Sequence, residues 1–162
     1  MSTRCNILVT KTNAYSDSAS GCPNPNNGLK TTQLYHHHDG YPTGVGLELA
    51  QAILALNAGP EELATDHDVR YRFIDKLPRQ YEIESGTYFD QVAHLHGDIE
   101  WVYHLDFDNG ITLTAYKRPG FDTEVPDDDS WRKWPSTRIL RLEAVDYGPI
   151  RAYSLRALEV KA

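Results

Sequence analysis

Residues 98–106 alternate without a break, with Ile99, Trp101, Tyr103 and Leu105 on one side of an extended chain and Glu100, Val102, His104 and Asp106 on the other. Asp108-Asn109-Gly110 follows, with a glycine suited to the tight turn of a hairpin, and Ile111, Leu113 and Ala115 resume the alternation. Such a hairpin fixes register as well as direction, because a one-residue slip would carry every apolar side chain to the wrong face. The chain must therefore build a sheet with at least one covered face.

Two further strands are expected near the start. Residues 4–11 carry Ile7 and Val9 on one side and Leu8 on the other. Residues 31–38 form the second strand, antiparallel to the first because consecutive strands usually pair. After Pro42 the apolar period changes from two to that of a helix, with Val45, Leu49, Ile53 and Leu56 recurring among good helix formers. Thr43 is the expected N-cap, and Asn57-Ala58-Gly59-Pro60 is a strong stop. A second helical stretch begins at Pro60 and runs through Val69, Phe73, Ile74 and Leu77 to Pro78. Tyr81 and Ile83 suggest a short strand, residues 88–95 are ambiguous, and residues 137–146 read as another strand. The tail from Ile150 reads as strand or short helix. The expected fold class is α+β, with a mainly antiparallel sheet and helices packed on one face. All 162 residues are expected in a single domain. Within it lie a long polar loop at 13–30 and an acidic, tryptophan-containing loop at 119–136.

Composition narrows the function classes. Sixteen Lys and Arg against 23 Asp and Glu give a formal charge of −7, a poor match to a groove that tracks nucleic-acid phosphates. Direct nucleic-acid binding is therefore not expected. Two cysteines, Cys5 and Cys22, are too few for a disulfide framework, and the N-terminal run lacks the pattern of a signal peptide. A cytoplasmic protein is expected. No apolar stretch approaches the roughly 20 residues needed to cross a bilayer, so no membrane partner is expected.

The chemistry-bearing residues concentrate at 35–46, which packs three imidazoles, a carboxylate, two phenols and three glycines into twelve residues. A strand through residues 34–39 sends Tyr35, His37 and Asp39 to one face and His36 and His38 to the other. His37 and Asp39, together with His94 and His96, are candidate ligands for a divalent transition metal, provided that the two segments meet. The spacing fits no standard zinc motif, and the default expectation is no cofactor. Were the chain an enzyme, His37 and Asp39 would be its candidate catalytic residues. Alternatively, Gly40, Gly44 and Gly46 leave backbone amides accessible at a helix start, where an anion or nucleotide can sit with Tyr35 or Tyr41 stacked on a base. A purely structural reading has Gly40 in a tight turn with positive φ, Tyr41 and Pro42 stapling the helix, and Gly46 permitting close packing against a strand.

A third feature is the acidic run at 121–131. Asp127, Asp128 and Asp129, beside Trp131 and Trp134, form a candidate surface for Lys or Arg of a basic protein partner.

The N-terminal half resembles a group of small uncharacterised proteins of bacteria and their phages. Those proteins begin with a Thr-Arg-x-x-Ile strand and continue with a strand ending in Tyr-x-His-x-Asp-Gly-Tyr-Pro. The matching residues are Thr3, Arg4 and Ile7, then Tyr35, His37, Asp39, Gly40, Tyr41 and Pro42 and the Gly44-Val45-Gly46 turn. The hairpin from Gly97 to Tyr103 is similar to the group's later strand pair. The resemblance covers roughly residues 1–117 and implies an α+β domain with a common site, but it brings no activity. The loops at 13–30 and 119–136 depart from its shorter members. Size, acidity, this resemblance and the lack of a complete catalytic set lead to the expectation of a non-enzymatic phage or prophage accessory protein. It would act by binding, as an inhibitor of a bacterial defence system such as a CRISPR effector. The alternative is a metal-dependent hydrolase or a nucleotide-signal-binding protein that uses the His37/Asp39/Tyr41 corner.

Overall fold

Strand β1 (Cys5–Thr12) places Cys5, Ile7 and Val9 in one apolar cluster and Leu8 in another, as alternation requires. The structure, a computed structural model, describes residues 3–12, 29–56, 69–78, 81–87, 95–107 and 110–143. Expectations for the loop at 13–30, for residues 57–68 and 88–94, for the Asp108-Asn109 turn and for the chain after residue 143 lie outside these, save that residues 29 and 30 open a strand.

β1 is central. It pairs antiparallel with β2 (Leu29–His36), with Ile7 opposite Leu34, and parallel with β4 (Trp101–Asp106), with Ile7 opposite Tyr103. β3 (Glu82–Thr87) adds antiparallel beyond β2, while β5 (Gly110–Lys117) and β6 (Ser136–Glu143) continue antiparallel beyond β4. The strand order is β3-β2-β1-β4-β5-β6, so β1/β4 is the parallel pair of a mainly antiparallel sheet. The expected hairpin forms with Asp106 opposite Thr112.

Helices α1 (Leu47–Ala55) and α2 (Val69–Asp75) cover one face. Val45, Leu49, Ile53, Val69 and Phe73 are fully buried there against Cys5, Ile7, Tyr103, Leu105 and Leu113. This confirms the α+β fold with helices on one face. The start of α1 differs from expectation. A π-type turn over Pro42–Gly46 precedes the helix, with Tyr41 rather than Thr43 at the N-cap and no capping side chain. Proline at the first turn lacks an amide that would need a partner, which lessens the need for a cap.

The opposite face is also covered. Leu8, Tyr35 and Val102 form a second cluster with Ile99, Trp131 and Trp134. The expected loop at 119–136 is thus a packed lid, and a short 3₁₀ turn over Asp129–Lys133 carries Trp131 into the sheet. The Trp131 ring meets Tyr116 edge-on at 5.0 Å and His104 at 6.2 Å. Ile99 joins this cluster instead of following Trp101 to the helix side, because β4 begins at Trp101 and residues 97–98 form a turn.

Candidate functional site

Three backbone hydrogen bonds shape the corner after β2. The Gly40 amide donates to the Thr3 carbonyl at 3.0 Å, Val45 to Asp39 at 2.8 Å and Gly44 to Tyr41 at 2.9 Å. The left-handed residue is Asp39, at φ 52°, and not Gly40. A short polar side chain tolerates that region, and the Tyr41 hydroxyl donates to Asp39 Oδ1 at 3.1 Å. Gly40 is instead required by closeness, since a Cβ there would lie 2.8 Å from the Thr3 oxygen. At Gly44 a Cβ would stand 2.3 Å from the Asp39 oxygen, and at Gly46 2.8 Å from Ile139 Cδ1. Gly46 therefore lets the helix approach the sheet, as the structural reading expected. Tyr103, fully buried, ties the corner down by donating to the Gly40 carbonyl at 2.5 Å. With the Gly40, Gly44 and Val45 amides turned onto neighbouring carbonyls, these donors are not directed at an anion.

A different cluster forms on the face away from the helices. Tyr35 stands at its centre, with His96 stacked on it at 3.8 Å and His37 edge-on at 4.5 Å. The Tyr35 hydroxyl donates to both Asp98 oxygens, at 3.0 and 2.9 Å, and Arg4 donates to Asp98 Oδ2 at 2.9 Å. Burial, and then the hydrogen bond to Asp98, push the Tyr35 phenol up to about 12. Each imidazole also meets a glutamate of β3. His37 Nε2 lies 3.1 Å from Glu82 Oε1, and His96 Nε2 lies 2.6 Å from Glu84 Oε1. Glu82 lies opposite Tyr35, alternation about Ile83 puts Glu84 on the same face, and a bulge between Gln33 and Leu34 leaves Glu84 as the extra residue of β3. Fully buried Asn6 joins the segments, donating to the Leu34 carbonyl and accepting from the His96 amide.

The structure thus brings His37 and His96 together around Tyr35. Alternation holds for Tyr35 and His37 and for His36, which stacks on Tyr81 at 4.2 Å on the helix side. It ends there, because β2 stops at His36 and Asp39 turns away to Tyr41. His94 lies outside the described residues, and among those described no group of three or more His, Cys, Asp or Glu is spaced to hold a metal ion. Glu82, Glu84, Asp98 and Arg4 were not among the expected ligand, catalytic or partner-binding residues. The signal available was the pair of glutamates flanking Ile83, which alternation sends to one side. Cys5 is buried, and burial raises its thiol far above the ordinary range, so it is not poised as a nucleophile.

The acidic segment separates into two layers. Asp127, Asp128 and Asp129 are exposed, whereas Trp131 is 1% and Trp134 9% exposed, so both rings belong to the second core and not to an open partner surface. Hydrogen bonding from the Ser130 side chain, and then from its amide at 2.9 Å, holds the Asp128 carboxyl below the usual range, and Asp129 lies 3.9 Å from Arg132. Among the described residues, no helix is long and apolar enough to cross a membrane.

Set against protein-family models, curated proteins and solved structures, the chain matches none.

Proposed function

We propose that this protein acts by binding, as a small acidic accessory protein of phage or prophage type whose Asp127, Asp128 and Asp129 engage a basic protein partner. The inferred partner is a nucleic-acid-binding complex of a bacterial defence system, such as a CRISPR effector. The protein acts in the host cytoplasm and contacts neither nucleic acid nor membrane directly. The observation that supports this reading best is the exposure of three consecutive carboxylates on a segment fixed from beneath by buried Trp131. Carboxylates held this way lose little freedom on docking, and the net charge of −7 steers a basic partner toward them. The phage assignment rests on the resemblance of residues 1–117.

A second reading, a metal-dependent or ligand-binding site, is favoured by the meeting of His37 and His96 on Tyr35. It is weakened by the glutamate that each imidazole already faces.

Affinity for a purified defence effector, measured across a salt series, tests the binding reading. Changing Asp127, Asp128 and Asp129 together to Asn should weaken binding about tenfold and flatten its salt dependence, because exposed charges act mainly through screened attraction. His37→Ala should leave affinity unchanged. Undiminished binding by the triple variant would contradict the proposal.

A further inference from the structure

Phe121 is the most exposed large apolar side chain among the described residues, at 66%. A single exposed aromatic is ordinary, but the way this one is held is not. Arg118, 8% exposed, directs its guanidinium into the surrounding turn. Nε donates to the Thr123 carbonyl at 2.8 Å, Nη1 to Gly97 at 2.8 Å and Ile99 at 3.1 Å, and Nη2 to Phe121 at 3.2 Å. The same guanidinium lies 5.3 Å from the Phe121 ring centre. Burying a cation among carbonyls is costly, and here it fixes the backbone on both sides of an outward-facing ring. Beside the ring opens a cavity of about 150 Å³, lined by Glu100, Lys117, Arg118, Pro119, Gly120 and Phe121. A benzene-sized group fits such a volume. Asp122 and Glu124 follow at once, both exposed, and no basic residue occurs between Pro119 and Trp131.

We infer that Phe121 and the adjoining cavity are the apolar anchor of the partner surface, taking an aromatic or aliphatic side chain that basic residues flank in the partner. The inference rests on the binding reading above and adds the contact that governs residence. Carboxylates at 122, 124 and 127–129 attract Lys and Arg, while a rigid aromatic beside a cavity supplies the desolvated centre on which affinity concentrates.

The test uses two peptides of equal charge with the full chain, Lys-Arg-Trp-Arg-Lys and Lys-Arg-Ser-Lys-Arg, titrated while backbone amide resonances are followed. The Trp peptide should bind about tenfold more tightly or better, as expected for one buried apolar side chain, and should move the Gly120 and Phe121 resonances. Phe121→Ser should abolish that preference while leaving the melting temperature and the binding of the Ser peptide unchanged. Equal binding of both peptides, or a Trp preference that survives Phe121→Ser, overturns the anchor and leaves the acidic reading standing. Failure of both peptides to bind overturns the acidic reading as well. Should Phe121→Ser unfold the chain, Phe121→Leu serves in its place and should retain part of the preference.

Discussion

Truncating Trp131 should destabilise the protein severely, although its neighbours in sequence are charged and exposed. The side chain is 1% exposed, its ring meets Tyr116 at 5.0 Å and His104 at 6.2 Å, and the Arg132 guanidinium lies 4.6 Å from the ring centre. Replacing a buried tryptophan by alanine removes its transfer energy and leaves a cavity, together about 3–5 kcal/mol. Lost edge contacts are of order 1 kcal/mol and are contained in that range. For a chain of this size each kcal/mol moves the melting temperature by about 2–4 °C, so Trp131→Ala should melt roughly 6–20 °C lower. Trp131→Phe, which keeps an aromatic against Tyr116, should recover more than half of the loss. Urea unfolding followed by far-UV circular dichroism provides the check. A Trp131→Ala shift below about 1 kcal/mol would refute the reasoning, since it would mean that residues 119–136 are a dispensable loop.

Three further outcomes follow from other contacts. Gly46→Val should cost about 1–3 kcal/mol by forcing Ile139 and Tyr103 away from the start of the helix, and thermal melting against Gly97→Ala, where a Cβ meets nothing within 4 Å, tests it. Arg118→Met should cost about 2–4 kcal/mol by abandoning four carbonyls, and Arg118→Lys should recover little, since an ammonium cannot reproduce the guanidinium fork; chemical denaturation decides. The Tyr35 phenol, raised from 10.0 to about 12, contributes stability that is present in full below its unfolded value and is lost as pH rises from 10 to 12. Asp98→Ala should bring its ultraviolet titration back toward that of ordinary tyrosine, and an unchanged titration would refute the assignment.

Local periodicity made much of this fold legible. The β4/β5 hairpin, the opposite facing of Leu8 from Ile7 and Val9, and the apolar face of α1 are each decided within one short, continuous segment. The parallel pairing of β1 with β4 was not legible, because it joins segments some 95 residues apart through contacts that no local pattern encodes. Trp131 was misplaced for a related reason. It lies among aspartates and prolines, and only the bare second face of the sheet makes burial favourable. At the corner, Asp39-Gly40 identified a tight turn but exchanged the two roles, with Asp39 taking the positive φ and Gly40 the close approach to Thr3. His37 and His96 were visible as candidates. Their glutamate partners share one side of Ile83 by alternation, but which residues they face depends on the long-range β2/β3 register.

The measurement that bears most directly on the proposed function compares two variants in defence-proficient bacteria challenged with targeted phage. Expression of the native protein should restore plaque formation, and the variant with Asn at 127, 128 and 129 should lose most of that restoration while melting as the native protein does. His37→Ala should still restore plaques. Loss of activity through His37→Ala alone, with the Asn variant fully active, would contradict the binding account and assign the function to the Tyr35 cluster.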